Sequence, residues 1–204
     1  KKAAETRILQ YGSEISMYTD NGRYTYYGAK NELKNGVLFG VCSGGETRSK
    51  LQNESLVLTY QGLGEELLGH NIVVLRNAVN EGYAVEFALN CPKEGYDIRN
   101  IYDYDGYLEE ISDLLSDYPK VPVYLRFAAE FDVWGTQTTP EEFIPAYRYV
   151  ANYFHRRNPN VAMVWSVNHA SGWYVDIDDY YPGDEYVDVI GLTAYNTGTY
   201  YASV

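Results

Sequence analysis

The sequence predicts an α/β fold, a parallel (β/α)8 barrel of the TIM type, of which the chain supplies about the first six βα units. Three observations lead there. From Gly36 onward, short apolar strands alternate with amphipathic helical stretches, the pattern of a parallel sheet. Residues 121–134 (VPVYLRFAAEFDVW) read as a strand with one apolar face, Val123, Leu125, Phe127, Ala129 and Phe131, and one mixed face, Tyr124, Arg126, Ala128, Glu130 and Asp132. A mixed face suits the interior of a closed barrel, whose inward groups reach a site at the C-terminal strand ends. Six such strands are visible before Val204, two short of an eight-fold closure. An open doubly wound sheet explains six strands without a missing part and stands as the alternative architecture.

Residues 1–35 are expected to form an N-terminal hairpin or entry segment ahead of a barrel domain at 36–204. ILQY at 8–11 and RYTYY at 23–27 are strand-like, and TDNG at 19–22 between them is a turn. The first barrel strand is VLFGVCS at 37–43 and the second is LVLTY at 56–60. Residues 70–82 carry Ile72, Val73, Leu75, Ala78 and Val79 at helical spacing, with Gly82 as the stop. The third strand, AVEFALNC at 84–91, sets Glu86 and Asn90 against Val85, Phe87 and Leu89 on the other face. A helix follows over 107–118, then the fourth strand, with Pro122 at its start where a missing N–H is tolerated.

Thr139, Pro140, Glu141 and Glu142 mark the next helix start, the acids lying beside the positive end of its dipole. That helix runs to about His155, read as a solvated or capping residue, and stops at Asn158 and Pro159. VAMVWSVN at 161–168 is the fifth strand, and residues 186–195 hold the sixth.

Composition narrows the function. With 204 residues, 46% of them hydrophobic, the chain can bury a large core. A net charge of -12 repels a phosphate backbone, so nucleic acid is not an expected partner. No apolar run is long enough to span a bilayer. The start lacks both an initiator Met and an apolar signal core, so the chain is expected to be mature, trimmed or excised.

Two cysteines, Cys42 and Cys91, are expected as buried thiols, with a bridge between them left open. The three histidines show no metal-ligand spacing, and no phosphate-binding glycine motif occurs, so neither metal nor cofactor is expected. The 23 tyrosines stand out. A flat ring with a hydrogen-bonding tip suits a sugar face, although any single Tyr is better read as packing.

At LRFAAEFDVW (125–134) the chain resembles glycoside hydrolase family 26, the retaining β-mannanases and their relatives. Three further stretches fit that pattern in order and spacing: TPEEFI at 139–144 with YRY at 147–149, NVAMVWSVN at 160–168, and YYPGDEYVDVIG at 180–191. The resemblance covers roughly residues 37–196. It implies a glycoside acid/base at the end of strand four, which falls on Glu130, and a nucleophilic carboxylate at the end of strand seven, expected beyond Val204. It also implies a mannan-like β-linked oligo- or polysaccharide substrate, an extracellular or cell-surface location, and further polypeptide to complete the barrel. Two departures stand out. Family members commonly carry Met-Asn after the acid, where this chain has Phe131 and Asp132, and often His before it, where this chain has Ala129. A second negative charge close to Glu130 would raise the acid's pKa.

Retaining hydrolysis needs two carboxyls about 5–5.5 Å apart, one donating a proton and one attacking the anomeric carbon. Glu130 suits the first role, because a carboxylic acid in a partly desolvated cleft can stay protonated near neutral pH. Arg126, four residues earlier on the same face, is expected to be held by Glu86 of the neighbouring strand as structural support. An Arg126–Glu130 ion pair is the bland alternative.

Tyr195, Asn90, Asn168 and His169, at or near strand ends, are candidate cleft residues, and Tyr195 could equally be a rim aromatic. Trp134 and Trp173, in loops after strand ends, are placed to stack on sugars. Trp165, mid-strand, reads as core. The function expected is retaining glycoside hydrolysis. A catalytically inactive or weak glycan-binding barrel is the alternative.

Overall fold

The computed structural model of the chain describes residues 29–40, 54–90, 98–133, 138–170 and 175–195, together with the backbone of Glu5–Ile8 and Glu14–Met17. Its frame is a parallel sheet of five strands in sequential order: β4 (Leu56–Gly62), β5 (Ala84–Asn90), β6 (Val123–Phe127), β7 (Val161–Asn168) and β8 (Val189–Thr193). Three earlier strands, β1 (Glu5–Ile8), β2 (Glu14–Met17) and β3 (Leu33–Asn35), pair antiparallel in a separate sheet. In the first of these pairs Ile8 lies opposite Glu14. The expected turn at 19–22 and strand at 23–27 lie outside the described residues.

The expected strand at 37–43 is corrected as far as Gly40. Residues 37–39 are not a strand, and a single parallel bridge, Gly40 to Leu56, runs alongside β4. Ser55 N–H donates to Phe39 O at 2.8 Å, which ties that segment down. Residues 41–43, Cys42 and Cys91 lie outside the described residues.

Helices close the apolar side of the sheet. Helix α1 (Gly69–Glu81) ends at Gly82, whose φ of 79° is readily reached only without a Cβ and whose N–H caps Ala78 O at 2.9 Å. Helix α2 (Asp105–Ser116) buries Leu108, Ile111 and Leu115. Helix α3 (Pro140–Arg157) opens with a full capping box, in which Glu142 Oε2 accepts the Thr139 N–H at 2.9 Å. It buries Phe143, Ala146, Tyr147, Val150, Ala151 and Phe154 against β6 and β7, the 3.6-residue stripe its sequence carries. The outward side chains of the strands, Phe87, Leu125, Phe127, Met163 and Trp165 among them, complete this core.

The opposite face of the sheet lines a cavity of about 670 Å³ bordered by Glu86, Tyr124, Arg126, Ser166 and Thr193. These are alternate residues of their strands, as a barrel interior requires. At Gly191 the strands crowd together: an added Cβ would lie 3.0 Å from Ser166 Cβ and Oγ.

The N-terminal end of the sheet is plugged by residues just upstream of β3. Asn31 Nδ2 donates to Val123 O at 3.1 Å and to Asn160 O at 2.8 Å, and Tyr124 Oη donates to Asn31 O at 2.7 Å. Lys30 is fully buried; its Nζ donates to His155 O and Asn158 O at 3.4 and 3.2 Å, and its backbone N–H to Asp188 Oδ1 at 2.8 Å. Asp188 also accepts from Met163 N–H at 2.8 Å and meets His155 Nε2 at 2.7 Å. His155 is therefore an internal partner of Asp188 rather than a solvated cap, because the last turn of α3 packs over the start of β7.

Candidate active site

The fourth strand of the expected barrel is β6, and it stops at Phe127. The chain then passes through Ala128 and Glu130 with φ of 48° and 55°. Both lie in the left-handed region, which costs a residue with a Cβ on the order of 1–3 kcal/mol and persists only where the surroundings impose it. The surroundings here are two backbone bonds: Ala128 N–H to Leu89 O at 3.3 Å and Glu130 N–H to Ser166 O at 2.9 Å. The alternation expected to run through Asp132 is thus broken after Phe127. A strained turn, not a straight strand, aims Glu130.

Glu130 is half-buried, and its carboxylate bridges the ends of β7 and β8. Oε2 accepts from Asn168 Nδ2 at 3.1 Å, and Oε1 accepts from Thr193 Oγ1 at 2.9 Å. Asn168 and Thr193 are direct register partners across the two strands. Phe131 turns the other way, into the core, with ring centroids 4.2 Å from Phe143 and 5.0 Å from Tyr180. Asp132 is completely buried and accepts the Asn168 backbone N–H at 3.1 and 3.3 Å. Burial pushes its pKa up, the hydrogen bond from Asn168 N–H opposes that, and the charge on Glu130 adds a smaller upward push.

Deeper in the interior, Arg126 Nε lies 3.3 Å from Glu86 Oε1, and the guanidinium stands 6.0 Å from the Tyr60 ring centroid. Burial raises the Glu86 pKa, and Arg126 partly offsets this. Asn90 ends β5 half-buried, its carbonyl accepting Leu63 N–H at 2.8 Å. His169 is exposed, with its backbone N–H 3.0 Å and its Nδ1 3.3 Å from Thr193 O. Tyr195 lies two residues past β8 and is 66% exposed. Trp165 lies in the core, 5.3 Å from the Tyr181 ring centroid. Trp134 and Trp173 lie outside the described residues.

Sequence reasoning passed over Thr193. The signal was present in the alternation of β8, which puts Val189, Gly191 and Thr193 on the interior face level with Asn168.

The model of glycosyl hydrolase family 26 matches residues 83–204, more than half of the chain. The chain belongs to family 26. Its fold is similar to a mannanase, man26, from Bacillus subtilis, at 19% identity and a TM-score of 0.57, over 71% of this chain and 55% of that one. A second Bacillus subtilis mannanase, BCman, matches at 21% identity and 0.53, with the same shares of the two chains. GH26C from a Muricauda species matches at 18% and 0.52, over 69% of this chain and 50% of its own. No curated protein matches. The chain thus spans about half the length of these solved structures and forms a partial barrel, in which, among the described residues, β4 and β8 are the outer strands of the parallel sheet and do not pair with each other. No helix among the described residues is long and apolar enough to cross a membrane.

Proposed function

We propose that this family 26 chain carries the acid/base half of a retaining glycoside hydrolase, with Glu130 as the proton donor and acceptor and a β-linked, mannan-like polysaccharide as substrate. The observation that carries the reading is the placement of Glu130. It is a half-buried carboxylate, aimed by a strained turn at the C-terminal end of a parallel strand and held from two sides by side-chain donors.

In the first step, protonated Glu130 gives its proton to the departing glycosidic oxygen while a second carboxylate attacks the anomeric carbon. In the second step, Glu130 as a carboxylate takes a proton from a water whose oxygen bonds to the anomeric carbon, and the bond to the second carboxylate breaks. That second carboxylate is the nucleophile the family resemblance assigns to the seventh barrel strand. Asn90, Asn168, His169 and Tyr195 are the cleft residues of this reading, with Trp134 and Trp173 as stacking surfaces. Arg126 and Glu86 brace its floor. The site of action is extracellular or at the cell surface.

The test is Glu130→Ala in the protein carrying the whole family 26 domain. Hydrolysis of unactivated mannan should fall by about 10²–10⁴-fold, while glycosides with good leaving groups, which need little protonation, keep part of their turnover. Equal losses on both substrate types would remove Glu130 from the acid role. Glycan binding without hydrolysis in the unmutated protein would instead support a binding barrel.

A further inference from the structure

Asn168 and Thr193 are not equivalent as donors to Glu130, and the difference assigns each oxygen of the carboxylate its own work. Asn168 presents its amide nitrogen to Oε2 at 3.1 Å, while its Oδ1 accepts the Ala170 backbone N–H at 3.1 Å. That second bond fixes the amide orientation, since a flipped amide would turn its NH₂ against the Ala170 N–H. An amide nitrogen only donates. A proton on the side of Oε2 that faces Asn168 would therefore point at another hydrogen, which disfavours Oε2 as its seat. Thr193 is different. Its hydroxyl lies 2.9 Å from Oε1 and can either donate to a carboxylate or accept from a carboxylic acid.

We propose that Thr193 is a positioning residue whose hydroxyl reverses between donor and acceptor as Glu130 loses and gains its proton, and that Asn168 confines that proton to Oε1. The inference rests on the acid/base reading of Glu130 and extends it to the choice of oxygen. When Glu130 is ionised, Asn168 and Thr193 both donate to it. When Glu130 is protonated, the proton stays covalently on Oε1 and the Thr193 oxygen accepts a hydrogen bond from it. As the proton passes to a glycosidic oxygen, Glu130 returns to carboxylate and the Thr193 O–H swings back to Oε1. No net proton is lost or gained by Thr193.

The pair is rigid where it must be. Asn168 and Thr193 are paired in register on β7 and β8, and the His169 N–H grips Thr193 O at 3.0 Å. Among the described residues, the other titratable or charged groups around this end of the sheet are Asp132 on the same turn, the Arg126–Glu86 pair below, and His169 and Tyr195 beside the strand ends.

The test is a carbon-13 titration of the Glu130 side-chain carboxyl in the 204-residue chain, assigned with Glu130→Gln. Thr193→Val removes a donor that serves the charged form more than the neutral one, so the midpoint should rise by about one pH unit. Thr193→Ser, which keeps the hydroxyl, should restore the original midpoint. Asn168→Asp puts a second carboxylate against Oε2 and should raise the midpoint further, reading the other side of the clamp without touching Thr193. An unchanged midpoint in Thr193→Val, or a Thr193→Ser variant that behaves like the valine, would overturn the proposal. The readout needs no turnover. Should Glu130→Ala leave hydrolysis intact, the acid/base reading fails while the titration still tests the clamp itself.

Discussion

Both carboxyl oxygens of Asp132 accept from the backbone N–H of Asn168, at 3.1 and 3.3 Å. The residue that the sequence presents as a second negative charge beside Glu130 therefore fixes the strand end whose side chain holds Glu130. Asp132 is buried and its pKa is raised, so the folded state binds a proton more readily than the unfolded one. Stability then falls as pH rises from the ordinary carboxylate range, near 3.8, through the raised folded value.

Asp132→Asn keeps an acceptor for Asn168 N–H and removes the buried charge. Its stability relative to the native protein should improve on going from about pH 4 to pH 7, as read by urea denaturation at both values. Asp132→Ala leaves the N–H without this acceptor and should cost about 1–3 kcal/mol at either pH. An Asp132→Asn protein that loses ground at the higher pH would show that the charge itself is needed.

Asp188 behaves in the opposite sense. Burial alone would raise its pKa, but the His155 hydrogen bond and charge, with the Lys30 and Met163 N–H groups, outweigh burial and hold it below the usual value. Its stabilisation is fully present above pH 3.8 and is lost as pH falls through the depressed folded value. Asp188→Asn should cost about 3 kcal/mol at pH 7, the range for breaking a buried charge-assisted cluster. The gap to the native protein should narrow steadily below pH 3.8. A constant gap from about pH 7 to pH 3 would refute the assignment.

Lys30 supplies a window at the alkaline end. Burial lowers its pKa to about 8, with Asp188 opposing, against 10.5 for an exposed lysine. Between those values the unfolded chain holds a proton that the folded chain has released, so stability rises with pH across the window from about 8 to 10.5. Lys30→Met should lack that rise. Denaturation midpoints at about pH 7, 8.5 and 10 should show the native protein gaining on the variant. Parallel curves would count against a buried, readily deprotonated amine.

The outer face of β8 makes a solubility prediction. Ile190 and Leu192 are 65% and 66% exposed, and among the described residues β8 pairs only with β7. An edge strand with an exposed apolar face invites association with another chain. Ile190→Lys with Leu192→Lys should reduce concentration-dependent association of the 204-residue chain, measured by light scattering, without altering the circular dichroism of the fold. Unchanged association would place the sticky surface elsewhere.

Much of this fold was legible because its signals are local. The period of two in β6, the capping residues Thr139 and Glu142, and the stop at Gly82 each act within a few residues. The Arg126–Glu86 proximity could be read from alternation on adjacent strands. Three things were not legible. Strand alternation carries no warning that Ala128 and Glu130 take left-handed conformations, because the contacts imposing them, Leu89 O and Ser166 O, come from other strands. Lys30 and Asn31 look like solvated loop residues until β6, β7 and α3 surround them. His155 reads as a terminal cap, since its partner Asp188 lies beyond the following strand.

The plug under the sheet has a consequence for the order of events in folding. Lys30 N–H and Asp188 are 158 residues apart in the chain, and Asn31 and Asn160 are 129 apart. Contacts this distant close large loops and are slow to form. At ribosomal speeds of about 5–20 residues per second, Asp188 follows Lys30 by roughly 8–30 s. For that interval the nascent barrel has no complete floor. The lysine waits in water, charged, and must shed part of its hydration to enter a pocket that α3, β7 and Asp188 have only then built.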